Sequence, residues 1–140
     1  MTGPFHLRIA HIDIGRQPET IEFLKRFISW SAGNGFNMVQ LYLEGRVRTK
    51  SFPFHPVEES YSVDQMREIA AHAASLSVGI IPVVSILGCA RQFLQYPEMA
   101  HLAELRPPFT GRFWNTKHTM FCPSQQGVWE FLETYLAEIF

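Results

Sequence analysis

Residues 62–86 read SVDQMREIAAHAASLSVGIIPVVSI. Ser62-Val63-Asp64-Gln65 has the S-x-x-Q form, in which the serine hydroxyl and the glutamine amide satisfy each other's orphan backbone N–H groups at a helix start. Met66, Ile69, Ala70, Ala73 and Leu76 follow at spacings of three and four, one apolar stripe of a helix. Gly79 suits the position just past the helix end. Ile80 to Ile86 is apolar nearly throughout, as expected of a strand covered on both faces of a parallel sheet. Pro82 has no N–H to donate, so the ladder must lapse there or the strand must be shorter than its apolar run. A capped helix feeding a buried strand is half of a βαβ unit.

The flanks repeat the pattern. Leu7 to Ile14 (LRIAHIDI) is rich in branched residues and ends at Gly15, a first strand. Pro18 suits a first helical turn, and Glu19 and Glu22 favour a positive helix end. Ile21, Leu24, Phe27, Ile28 and Ser31 form an amphipathic stripe that stops at Gly33-Asn34-Gly35. Met38 to Leu43 (MVQLYL) is a second strand, and the long loop after Glu44-Gly45 carries Pro53 and Pro56 on either side of Phe54-His55. Residues 88–119 are loop-like, with helical potential from Arg91 to Leu105. Pro123-Ser124 introduces a third helix, with Val128, Trp129, Leu132, Tyr135, Leu136 and Ile139 expected to face inward.

This alternation predicts an α/β fold with a parallel sheet. Only three strands are found, however, and a three-stranded parallel sheet has two open edges. The third helix reaches Phe140 without glycine, asparagine or a basic residue to satisfy its last carbonyls. The expectation is a chain cut from a fold that needs more than 140 residues to close.

Composition narrows the function classes. Hydrophobic residues make up 46% of the chain and charged ones 18%, so a packed core is expected and disorder is excluded. No apolar run reaches the roughly 18 residues of a membrane span, and the N-terminus has no basic region followed by an apolar stretch. Twelve basic residues against thirteen acidic ones give a net charge of −1, which argues against a nucleic-acid or anionic-membrane surface. Cys89 and Cys122 have neither zinc-site nor disulfide-framework spacing, so a cytoplasmic protein with free thiols is expected. The six histidines (6, 11, 55, 72, 101, 118) show no metal-ligand spacing, and no cofactor is expected.

In parallel α/β proteins, chemistry gathers at the C-terminal strand ends. Asp13 and Arg16 follow the first strand, Glu44 and Arg46 the second, Ser85 and Cys89 the third. An arginine fork beside a carboxylate can hold two vicinal sugar hydroxyls or a substrate carboxylate. On spacing alone, Asp13 and Arg16 read equally well as a structural ion pair. Glu44 could be an acid, a base or a hydroxyl acceptor, against the plainer reading of a solvated turn residue. Arg46, Arg48 and Lys50 read as a solvated loop, Cys89 as a buried inert thiol, and His72 as a helix-flank histidine. Phe52, Phe54, Trp114 and Phe121 could stack on sugars, but packing of long loops explains them more economically.

These segments resemble, in order, the N-terminal part of the glycoside hydrolase family 20 catalytic barrel, the β-N-acetylhexosaminidases. His11-Ile12-Asp13-Ile14-Gly15-Arg16 is similar to the D-x-x-R of that family's first strand, and Asn37 to Glu44 to its N-x-L-x-x-E-Y-E strand. Phe52-Pro53-Phe54, Tyr61-Ser62-Val63-Asp64-Gln65, Gly79-Ile80-Ile81-Pro82, Gly88 to Leu105 and Cys122-Pro123-Ser124 match further motifs in sequence order. The resemblance implies a partial (β/α)₈ barrel comprising its first three βα units, with residues 1–140 as the N-terminal part of one domain. It implies a carbohydrate substrate with a terminal N-acetylhexosamine, whose hydroxyls Arg16 would clamp with Asp13 and Glu44 beside it. The substrate's acetamido oxygen would act as nucleophile, aided by an adjacent Asp-Glu pair on a fourth strand. No Asp-Glu dipeptide occurs in these 140 residues, so the chain itself is expected to carry no catalytic residue. It also departs from the family at Gly45, Ser85 and Cys89, where the family has aspartate, an acid and histidine. Two alternatives follow: a non-catalytic sugar-binding or oligomerising module, and a barrel enzyme for another carbohydrate or a small acid.

Overall fold

The computed structural model describes residues 5–105 and 120–140. The elements run β1 (Ile9–Asp13), α1 (Ile21–Gly33), β2 (Met38–Tyr42), β3 (Val47–Arg48), β4 (Tyr61–Ser62), α2 (Val63–Ser75), β5 (Gly79–Val83), α3 (Arg91–Leu94) and α4 (Gln126–Ile139). β1, β2 and β5 form one sheet in that order, parallel throughout, with Ile9 opposite Met38 and Met38 opposite Gly79. β3 and β4 form a two-residue parallel ribbon beside it. The α/β fold with a parallel sheet is as the sequence predicts, and the short ribbon is an addition.

Local chemistry sets the helix limits. At α2 both bonds of the capping box form: Gln65 N donates to Ser62 Oγ over 3.1 Å, and Ser62 N to Gln65 Oε1 over 2.8 Å. At α1 the cap is Thr20, whose Oγ1 accepts from Phe23 N, so Pro18 lies before the helix rather than in its first turn. Both helices end in paired carbonyl-satisfying bonds. Gly35 N and Phe36 N donate to Ala32 O and Ser31 O; Ser77 N and Val78 N donate to Ala74 O and Ala73 O. The left-handed residue ending α2 is therefore Ser77, at φ 56°, and not Gly79, which opens β5.

Alternation divides the sheet faces. Ala10, Val39 and Leu41 point toward α1 and α2 and join Leu24, Ile28, Ile69 and Ala73 in the first core. His11, Asp13, Gln40 and Tyr42 occupy the other face by parity, with the His11 and Tyr42 rings 6.3 Å apart. β5 departs from expectation, since every one of its residues is only partly buried. Among the described residues it pairs with β2 alone, and an edge strand tolerates the missing donor of Pro82.

A second core lies under the loops. Phe52 is fully buried, with Phe93, His55, Phe54, Tyr96, Tyr135 and Phe131 rings 4.9–6.2 Å from its own. α4 closes this cluster: Tyr135 donates its hydroxyl to Val47 O over 3.0 Å, and Glu138 Oε2 accepts from Ser51 N and Oγ. Val128, Leu132 and Tyr135 are the buried face of α4. Trp129, expected inside, lies one step around the helix, is 39% exposed, and donates Nε1 to Pro123 O. The helical potential from Arg91 to Leu105 is realised only as α3 and a 3₁₀ turn at Ala100–Leu102, because Pro97 breaks the run.

Candidate functional site

The polar groups converge where β1 and β2 end. Beyond β1, Asp13 Oδ1 accepts from Gly15 N over 3.0 Å, a tight turn that leaves the carboxylate half-exposed. Arg16 Nε stands 3.9 Å from Asp13 Oδ2, and its side chain is 82% exposed. A pair this loose and wet contributes little to stability, and among the described residues it is the one ion pair Arg16 makes.

Glu44 follows β2 in the left-handed region, at φ 49°. It is buried, not the solvated turn residue of the plainer sequence reading. Its side chain lies on Gly15, where a Cβ would come within 2.8 Å of Glu44 Cγ. The glycine is thus required for the two loops to meet. Burial pushes the Glu44 carboxyl above the usual carboxylate range. A hydrogen bond from the Gln92 side chain opposes this, Asp13 adds to it, and Arg16 and Arg46 oppose it. The site thus combines an exposed cationic fork, a half-exposed carboxylate and a buried carboxyl group whose pKa burial raises. That set can donate to and accept from neighbouring hydroxyls.

Arg46 corrects the expectation of a solvated basic run. It is buried, donating Nε to Gly15 O over 2.7 Å and Nη1 to Glu59 O over 3.0 Å, with Glu59 Oε2 at 3.3 Å. Arg48 donates Nε to Ser60 Oγ. Both arginines therefore staple the 57–60 turn beneath the site. Cys89 is likewise corrected: it is exposed, in a left-handed turn at φ 55°, so its thiol is not packed in the core. Ser85 is buried and shares a 3.1 Å hydrogen bond with Tyr42 Oη. Gly45 lies under Phe93, whose ring would be 2.7 Å from a Cβ at that position, so no side chain fits there.

The loop aromatics pack as expected. Phe52 and Phe121 are buried, which removes them as sugar platforms; Trp114 and His118 lie outside the described residues. His72 bridges the helices, with Nε2 3.0 Å from Ser29 Oγ and 3.2 Å from Lys25 O. Among the described residues no three His, Cys, Asp or Glu side chains group as a metal site. No described helix is long and apolar enough to cross a membrane. Gln92 and the buried His55 were missed from sequence. Gln92 carries no motif, whereas His55 is marked only by its flanking prolines.

Similar folds occur in solved structures. A β-N-acetylhexosaminidase from Streptomyces coelicolor superposes with a TM-score of 0.78 at 22% identity, over 97% of this chain and 30% of that one. An exo-β-N-acetylglucosaminidase from Vibrio harveyi, in complex with N-acetylglucosamine, gives 0.79 at 22%, over 97% and 25%. A β-N-acetylhexosaminidase from Bacteroides fragilis gives 0.75 at 21%, over 95% and 29%. The chain therefore spans less than a third of each of these proteins, and its α/β fold matches part of theirs. No curated protein matches the sequence. The family model for the glycosyl hydrolase family 20 catalytic domain matches residues 37–140, and the chain belongs to that family.

Proposed function

We propose that residues 1–140 are the N-terminal part of a β-N-acetylhexosaminidase-type barrel and form one wall of the subsite for a terminal N-acetylhexosamine. The supporting observation is the convergence of Asp13, Arg16 and Glu44 at the ends of two adjacent parallel strands. Arg16 donates to two vicinal ring hydroxyls, Asp13 accepts from one of them, and Glu44 closes the group from below. Bond cleavage in this reading uses the substrate's own acetamido oxygen and an Asp-Glu pair on a later strand. The present residues supply grip and orientation.

Binding is tested by titrating N-acetylglucosamine into the ¹⁵N-labelled chain and following the amides near Gly15 and Gly45. Arg16→Ala should weaken binding by about 10- to 100-fold, the loss of hydrogen bonds from a charged donor. An unresponsive spectrum in the unmodified chain overturns the reading. Incubated with an aryl N-acetylglucosaminide, the 140-residue chain should release no chromophore, and robust release would overturn the assignment of the chemistry to a later strand. The ring of Phe93 against Gly45 favours a second reading, a non-catalytic sugar-binding module, because it leaves no room for a carboxylate. A stable, cooperatively folded oligomer in gel filtration and denaturation would support that module.

A further inference from the structure

We propose that Gln92 is a positioning residue for Glu44, brought to the mouth of β1 and β2 by α3 and holding the carboxyl group against the turn that follows β1. Its consequence for sugar binding rests on the function proposed above; its geometry does not. α3 is only one turn long, but Phe93 and Leu94 are buried in the second core and anchor it. Gln92, partly buried, reaches back across 77 residues to donate Nε2 to Gly15 O over 3.3 Å. The same carbonyl accepts from Arg46 Nε over 2.7 Å. Gly15 is also the residue on which the Glu44 side chain lies.

The orientation of the Gln92 amide is set by its neighbour. Gln95 Nε2 donates to Gln92 Oε1 over 3.2 Å and to Gln92 O over 3.1 Å. With its oxygen engaged there, the amide turns its NH₂ group toward the site, and that group has two N–H donors. One goes to Gly15 O, and the Glu44 side chain lies against that same glycine, where the Gln92 amide works against the upward push of burial on the Glu44 carboxyl. Asp13 repels the same carboxylate while Arg16 and Arg46 attract it, so several fields compete over its position. A neutral donor on a fixed element selects one orientation without adding charge, and a hydroxyl group of the ligand then meets a preorganised acceptor.

The test is an NMR titration of the full chain that follows the Glu44 side-chain carboxyl carbon and the Gln92 side-chain amide. In the unmodified protein the Gln92 amide protons should shift with the midpoint of Glu44. Gln92→Leu should move that midpoint upward, and Gln92→Glu should move it further, because a second carboxylate adds repulsion. A purely structural role predicts neither the shared midpoint nor this order. An amide that stays flat through the Glu44 titration, or a midpoint unchanged in both variants, overturns the proposal. If Gln92→Leu fails to fold, the amide of the unmodified chain and Gln92→Glu still decide. N-acetylglucosamine affinity should fall about tenfold in Gln92→Leu. Should the unmodified chain not bind the sugar, the proposed function fails while the Glu44–Gln92 titrations still decide the positioning role.

Discussion

His55 is 3% exposed, wedged edge-on against Phe52 and sharing a 2.8 Å hydrogen bond between Nδ1 and Tyr96 Oη. Among the described residues its Nε2 has no hydrogen-bond partner. Burial, reinforced by the Arg46 charge, lowers its pKa to about 4. The unfolded chain therefore binds a proton near pH 6.5 that the folded chain refuses until about pH 4. The stabilisation from neutral His55 is complete above pH 6.5 and is lost as pH falls through this window, by about 3 kcal/mol at most. Urea unfolding at several pH values between 4 and 7 should show a shallower decline in His55→Gln than in the unmodified chain. Equal slopes would refute the assignment. Glu44 works in the opposite sense, since a raised carboxyl pKa makes the folded state bind protons more readily than the unfolded one. Both shifts come from burial, which no residue's identity announces.

Among the elements, helix ends were the most legible. The S-x-x-Q box of α2 and the glycine-containing stop of α1 are interactions within a few residues, so spacing in the chain is spacing in space. Other boundaries shifted for equally local reasons: Thr20 outcompetes Pro18 as the start of α1, and Ser77 precedes Gly79 as the left-handed end of α2. A serine at φ 56° carries strain from its Cβ. Ser77→Gly should therefore stabilise the protein by about 0.5–1 kcal/mol, part of the strain relief being offset by the freer unfolded chain. A thermal or urea midpoint that falls would contradict this. The 88–105 segment was the least legible, because the position of α3 depends on Phe93 and Leu94 finding Phe52 and Phe121, neither of them near in sequence.

Over the whole molecule, two cores share the work. One is the ordinary helix-on-sheet layer behind β1, β2 and β5; the other is an aromatic cluster that fastens α3, α4 and the 49–56 loop together. Phe52 is the centre of the second. Phe52→Ala should cost about 3–5 kcal/mol, the range for deleting a fully buried aromatic side chain. Because α3 carries Gln92, the same change should disturb Glu44 without touching it. Chemical shifts at Gly15 and Gly45 that stay fixed in a folded Phe52→Ala protein would show the two regions to be uncoupled. Gly45 and Phe93 are matched in the same way, a missing side chain on one loop making room for a ring from another.

The order of the three sheet strands and the three long helices, the parallel sheet and the positions of Asp13, Arg16 and Glu44 at its strand ends could be read from the chain alone. These follow from periodicity, capping and the one-directional geometry of βαβ units, all of which act over short stretches of sequence. Tertiary packing made Glu44 and Arg46 buried, left Cys89 and Trp129 facing water, and brought Gln92 to the end of β1. Burial and hydrogen bonding between distant loops depend on where the backbone carries each side chain, and that is a property of the folded chain as a whole.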